Sequence, residues 1–304
     1  MSWHDEAALC ARLVELGPVE IIGHTVQGRP IPALRLGTGA PGRPQLLVSA
    51  NLHGPEVIGS ELALRLAELL AAPEPPASAR ALRERADVTI VPALNLDARE
   101  PAVRALVSGA ACARSPRGNA RGVDLNRNFP RVSGARDAWH PLAGSRCPWL
   151  PWYRGEAPLS EPESAALAAL AERLCPAVAL GLHSVGRLFL HPWCCRAEAP
   201  DALAAFAAMG AAFAGAQPGV PYRVKQAHAW YTILGDLDDW LLDRFGTLAV
   251  TVELGSAAAN LRRAPWRLLS GAAWMNPADP EAILAETAVP CLEALRAGLE
   301  ARGA

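Results

Sequence analysis

The chain has 304 residues, about half of them apolar, and a formal net charge of −1. That suits one large α/β domain or two small ones around a sizeable core and excludes a disordered or fibrous protein. The cations are nearly all arginines, with Lys225 the only lysine, and they are scattered instead of gathered into a basic stripe, so no nucleic-acid partner is expected. No apolar run reaches the length of a membrane span. The opening MSWHDEAALCARLVEL lacks the uninterrupted apolar stretch of a secretory leader, so neither a membrane nor export is expected. Seven cysteines (Cys10, Cys112, Cys147, Cys175, Cys194, Cys195, Cys291) form no CxxC pair and are odd in number, which predicts small buried thiols in a cytoplasmic protein.

In chain order, a short helix is predicted to about Leu16, then two strands in EIIGHTVQGRPIPALRLG joined by a turn at Gln27-Gly28. PQLLVSAN reads as a buried strand, GSELALRLAELLAA as a helix lying on a sheet, and PEPPASA as its proline-rich end. A further buried strand is expected over 87–95. Residues 98–155, rich in Arg, Gly, Pro and Trp, read as a long irregular region of the functional kind. SEPESAALAALAERL opens with a Ser160-x-x-Glu163 capping box and continues as a helix. Strands are expected at 177–183 and 187–192, a helix in PDALAAFAAMGAAFAG, a strand in TLAVTVELG and a last helix over about 279–301. Strands alternating with helices, without linker or repeat, predict a single α/β domain over 1–304 with a mixed, mostly buried central sheet flanked by helices.

Chemistry concentrates in four places. His53 and Glu56 bracket a Gly-Pro pair where the strand PQLLVSAN ends. Such a pair fits two ligands of a catalytic metal, which takes three protein donors and leaves one position open; it equally fits solvated or capping groups at a helix start. His183, at the end of an apolar strand, fits either a third ligand or a core histidine. RGNARGVDLNRNFP, 117–130, packs planar hydrogen-bonding groups together, with Arg127 offering a bidentate fork for a carboxylate and Asn126 an amide beside it. Glu253, buried by pattern in AVTVELGS, is a costly charge unless something uses it.

Taken in order, His-x-x-Glu at 53–56, Gly-Val-Asp-Leu-Asn-Arg-Asn-Phe at 122–129, His-Ser at 183–184, Tyr231 ahead of Asp239-Trp240, and Glu-Leu at 253–254 resemble the zinc carboxypeptidases of the digestive carboxypeptidase A/B type. Over about residues 45–256 the chain looks like a short bacterial member. The resemblance implies one zinc ion per chain held by His53, Glu56 and His183, with Asp124 orienting His53. It implies Glu253 as general base and Arg117 as the oxyanion-stabilising group; Arg121 is a nearby competitor for that role and reads as structural or solvent-facing. Asn126, Arg127 and Tyr231 would grip the free terminal carboxylate of a peptide substrate. Asp238 falls where the digestive enzymes have a pocket-floor residue, and an acid there suggests a basic terminal side chain, although solvated carboxylates in a turn would give the same string. Val185 departs from a Tyr common after the His-Ser pair.

Three other readings share these residues. A murein peptide amidase cutting γ-D-glutamyl-diaminopimelate resembles the chain in size and in NARGVDLNRNFP. An N-acyl amino acid deacylase has a similar zinc core, and a silent peptide-binding module could carry the same fold. WHPLAGSRCPWLPWY, 139–153, suits either a substrate funnel or packing over the sheet edge.

Overall fold

The computed structural model describes residues 3–109, 116–135, 142–263 and 270–303. Cys112, His140 and the first three residues of the tryptophan-rich segment lie outside them. An eight-stranded sheet runs in the order β1, β2, β4, β3, β5, β8, β6, β7. The strands are β1 (Val19–His24), β2 (Pro30–Leu36), β3 (Gln45–Ala50), β4 (Asp87–Val91), β5 (Val178–Ser184), β6 (Leu188–His191), β7 (Arg223–Gln226) and β8 (Leu248–Leu254). The centre β4-β3-β5-β8 is parallel. β1 and β2 pair antiparallel and extend it on one side; on the other side β6 pairs antiparallel with β8 and parallel with β7. This is the expected mixed α/β sheet.

Side-chain alternation distributes the strands between two cores. Leu46, Val48, Leu180, Leu182, Val250 and Val252 face one cluster, with helices α2 (Val57–Ala71), α6 (Leu203–Ala216) and α10 (Pro280–Ala301) packed on it. Leu47, Ala179 and Ala249 face the other, with α5 (Pro162–Leu174) and α7 (Leu237–Phe245). Truncating a fully buried leucine of this kind, such as Leu47→Ala, costs about 2–5 kcal/mol.

Four expectations need correction. The region 98–155 begins inside a helix, α4 (Leu96–Ser108), whose N-terminus Asn95 caps by accepting from Ala98 N and whose end is the left-handed Gly109; Pro101 and the charged residues conceal its periodicity. Beyond the prolines after α2 comes a separate helix, α3 (Ala77–Arg85). The capping box does not form. Glu161 is the N-cap of α5, its backbone N–H donates to Asn128 Oδ1, and Glu163 instead accepts from Val26 N and Asn119 Nδ2. The acids of 236–239 are not a solvated turn: Asp236 caps α7 and all three aspartates are buried. Two further helices, α8 (Ala257–Arg263) and α9 (Gly271–Met275), and the short strand β7 have no sequence-level counterpart.

Candidate metal and peptide site

The parallel strands deliver their chemistry at their C-terminal ends, the usual place for a site in such sheets. β3 stops at Ala50, and Asn51 adopts a left-handed backbone (φ 57°), a conformation Asn tolerates better than most residues. Asn51 Nδ2 donates to His53 O at 2.9 Å, closing the turn. Gly54 sits where a Cβ would meet Ala98 Cβ at 2.4 Å and Pro116 O at 2.6 Å, so only glycine lets this turn approach the loop that carries Arg117. Glu56 then begins α2 but makes no cap bond with its side chain. Asn276 does that work from far along the chain: Ile58 N donates to Asn276 Oδ1 at 2.8 Å, and Asn276 Nδ2 donates to Pro55 O at 2.6 Å. The Glu56 carboxylate is thereby free for the cluster.

His53, Glu56 and His183 converge, all buried. Glu56 Oε1 lies 2.8 Å from His53 Nδ1, Glu56 Oε2 lies 2.9 Å from His183 Nδ1, and the two Nδ1 atoms are 3.2 Å apart. That last separation is close to the edge of a tetrahedron with metal–nitrogen bonds of about 2.1 Å, roughly 3.4 Å. Two imidazole nitrogens and one carboxylate form a donor set that suits zinc. His53 Nε2 lies 3.1 Å from Asp124 Oδ1; with the proton on that nitrogen, Nδ1 presents its lone pair to the cluster. Burial opposes the charge on Glu56, but the two histidines outweigh it and hold its carboxyl well below the usual range, while Glu56 raises His183 against the effect of burial.

Asp124 starts a single 3₁₀ turn, Leu125–Arg127, and is shared three ways. Its Oδ1 also accepts from Asn126 N at 3.0 Å, and its Oδ2 accepts from Arg117 Nε at 2.8 Å. Arg117 reaches within 3.8 Å of Glu56 as well, and these two carboxylates outweigh burial in keeping it charged. Arg121 points elsewhere, half exposed and 3.5 Å from Glu161.

Asn126 Oδ1 accepts from Leu237 N at 3.0 Å, which ties the loop to α7. Arg127 donates from Nε to Leu142 O and from Nη1 to Asn126 O, while its buried Nη2 makes no hydrogen bond of proper geometry. Tyr231 is raised above its ordinary value by burial, with Arg127 and Arg117 opposing. Glu253 Oε2 is buried without a hydrogen-bond partner. Burial first, then the charge of Glu56, pushes the Glu253 carboxyl up to about 7, with His183 and Arg117 pulling the other way.

One cavity of about 190 Å³ is lined by His53, Glu56, His183, Glu253, Arg117, Asn126, Arg127, Tyr231 and Asp238. Asp124 stands behind it, touching His53. The same cavity is lined by residues the sequence did not single out, among them Cys194, Ile233, Asp236 and Thr251. Asp236 had a readable signal, as an acid just before the helical spacing of LDDWLLDRF. Among the described residues of the tryptophan-rich segment none lines the cavity; Tyr153 O accepts from Asp124 N at 2.7 Å, so the segment buttresses the Asp124 turn from outside.

A sequence model of the zinc carboxypeptidase family matches residues 3–265. Carboxypeptidase E of Caenorhabditis elegans is 35% identical over 147 residues, 42% of this chain and 30% of that protein. The carboxypeptidase N catalytic chain of Rattus norvegicus is 39% identical over 120 residues, 37% of this chain and 26% of that one. The match therefore spans less than a third of each of these relatives. In fold, the chain is similar to thrombin-activatable fibrinolysis inhibitor (TM-score 0.78, 17% identity, 99% of this chain and 75% of that one). It is also similar to carboxypeptidase A of Helicoverpa armigera (TM-score 0.75, 21% identity, 98% and 73%). This chain belongs to the zinc carboxypeptidase family.

Proposed function

We propose that residues 1–304 form one catalytic domain, a zinc-dependent metallocarboxypeptidase that hydrolyses the C-terminal peptide bond of a substrate with a free terminal carboxylate. The observation that carries this reading is the convergence of His53, Glu56 and His183 within 3.2 Å contacts beside the unpaired Oε2 of Glu253, in a cavity that also holds Arg127.

One zinc ion per chain, held by His53, Glu56 and His183, would supply Lewis-acid polarisation of the scissile carbonyl and acidification of water. Glu253 takes the proton of the attacking water and returns it to the leaving amine. Its Oε2, buried in the cavity without a hydrogen-bond partner, suits a group that must both accept and give a proton. Arg117, aimed by Asp124, stabilises the developing oxyanion with a fixed positive charge in a site shielded from water. The Arg127 guanidinium, the Asn126 amide and the Tyr231 hydroxyl hold the terminal carboxylate, which restricts cleavage to the last residue. Asp124 keeps the His53 tautomer.

A basic terminal residue is the proposed preference. Asp238 supports it: the carboxylate is buried, lines the cavity, and accepts one hydrogen bond, from Thr251 Oγ1 at 2.7 Å. The six free thiols among the described residues support a cytoplasmic location. Among the described residues no helix is long and apolar enough to cross a membrane, and no nucleic-acid partner is proposed.

The test is release of C-terminal residues from blocked dipeptides, before and after removal of metal by a chelator and after zinc is restored. Hydrolysis lost and regained supports the reading; hydrolysis indifferent to chelation overturns it. A γ-D-glutamyl-diaminopimelate tripeptide run alongside distinguishes a murein peptide amidase.

A further inference from the structure

Glu253 Oε2 has no hydrogen-bond partner among the described residues, so the backbone of β8 decides where that carboxylate stands. This backbone leaves the sheet almost at once. Pairing with β6 ends at Leu188 opposite Glu253 and pairing with β5 at Ser184 opposite Leu254, after which the buried Gly255 turns away with a left-handed backbone (φ 69°). A buried N–H beyond the paired residues needs an acceptor. Gly255 N finds one in Tyr222 Oη at 3.1 Å. Tyr222 is itself buried and fixed: its N donates to Gln217 Oε1 at 2.7 Å, and its ring lies 5.6 Å from that of Phe213. The Arg187 guanidinium stands over the same ring, 4.5 Å from its centre. Arg187 Nη1 donates to Glu286 Oε2 at 3.0 Å, and Nη2 donates to Glu286 Oε1 at 2.6 Å and to Val220 O at 2.7 Å. Arg187 also belongs to the turn that covers Glu253, since a Cβ on the neighbouring Gly186 would meet Glu253 Cβ at 3.3 Å.

We propose that Tyr222 is a positioning residue for Glu253, holding the end of β8 through Gly255, with Arg187 and Glu286 locking the tyrosine ring in place. This rests on the peptidase reading above, in which Glu253 is the base, and adds to it a brace that stands outside the site. Tyr222, Arg187 and Glu286 do not line the cavity. Their contacts run from α10 through Glu286, Arg187 and Tyr222 to Gly255, two residues from the carboxylate that carries the proton. The other side of the site is held by different groups, Asp124 at His53 and Asn276 at the bend between His53 and Glu56. Loss of the Tyr222 hydroxyl should therefore move the base and leave the metal-ligand candidates where they are. A catalytic group displaced by about 1 Å can cost about 10²-fold in rate, so a small relaxation at Gly255 is enough to be read in turnover.

The test uses the zinc-loaded full chain, a blocked dipeptide that the parent cleaves, and the variants Tyr222→Phe and Glu286→Gln. Tyr222→Phe removes one hydroxyl and keeps the ring. Its kcat should fall about tenfold or more while KM and zinc affinity stay within about twofold of the parent, the split expected when a group acting in the transition state is displaced without loss of substrate or metal binding. Glu286→Gln, which takes no acceptor from a backbone N–H, should lower kcat in the same way and by less, and it carries the same readouts should Tyr222→Phe fold poorly. An unchanged kcat overturns the proposal, and so does a fall in zinc affinity that matches the fall in kcat, since that is general loosening of the site. Hydrogen exchange on the same proteins reads the brace without turnover: residues 250–256 should exchange faster in Tyr222→Phe while β3 and β5 keep the parent protection. Should the parent cleave no dipeptide, the peptidase reading has failed and exchange alone decides the brace. Faster exchange confined to 250–256 supports it, and exchange unchanged or raised evenly across the sheet overturns it.

Discussion

His183 and Glu253 stand directly opposite each other on the adjacent parallel strands β5 and β8. Because side chains alternate along a strand, this register puts a metal-ligand candidate and a proton-carrying candidate on the same face; a slip of one residue would send one of them into the opposite core. The apolar neighbours fix the register. Leu180, Leu182, Val250 and Val252 have no acceptable place except the cluster under α2 and α10.

Glu253→Gln keeps the shape of the side chain and removes its ability to take a proton. Hydrolysis should fall by about 10²–10⁴-fold, the usual contribution of a general base, while bound zinc stays at the parent level. A variant that turns over at the parent rate removes Glu253 from its assigned role.

Asp124→Asn should weaken zinc binding by about 10–100-fold, the usual effect of losing the group that orients a ligating histidine. It also frees Arg117, whose Nε is held by Asp124 Oδ2, so kcat should fall even at saturating zinc. Competition with a chelating dye measures the first effect and steady-state kinetics the second.

The proposed zinc site is the three-donor cluster of the folded chain, and the unfolded chain has no such cluster. At free zinc about 100 times its Kd, folding should gain about 2.7 kcal/mol. Thermal unfolding with and without chelator reads this directly, and a His183→Ala variant should lose the difference.

Gly54→Ala places a methyl group against Ala98 Cβ and Pro116 O. Overpacking of this kind costs about 1–3 kcal/mol, and here the strain falls on the turn between His53 and Glu56. Zinc affinity should fall together with stability, whereas Gly215→Ala, which meets nothing within 4 Å, should leave zinc affinity alone.

His4 Nδ1 lies 2.6 Å from Glu61 Oε2, and that hydrogen bond raises His4 above 6.5 against the effect of burial. A group that binds its proton more tightly when folded contributes stability fully below its unfolded pKa and loses it as pH rises through the folded value. The parent should therefore lose stability over that window, and His4→Gln should show a smaller loss in a series of melting curves across neutral pH. Identical pH dependence in the two proteins would exclude the contribution.

The sheet was legible where burial enforces a pattern. β3, β5 and β8 are short apolar runs, and α2, α5 and α10 carry long helical spacing. α3 was hidden by the prolines ahead of it and α4 by its charges and Pro101, so tertiary packing, not periodicity, decides both. In the site, the ligand candidates were legible through the ordered set of short motifs. Asn276 was not, since its bonds to Pro55 and Ile58 bridge more than 200 residues and no local pattern encodes them. Asp236 and Asp238 were ambiguous because an acid before a helix reads the same whether its face meets water or a cavity.

Asn276 lies past residue 265, where the match to the family ends. A fragment trimmed to the matched span would still contain His53, Glu56 and His183, yet it would have lost the clamp that pins the bend between the first two. The half of the molecule that carries the ligand candidates is in this sense fastened from its far end, and a domain boundary drawn by family likeness alone would cut through the fastening.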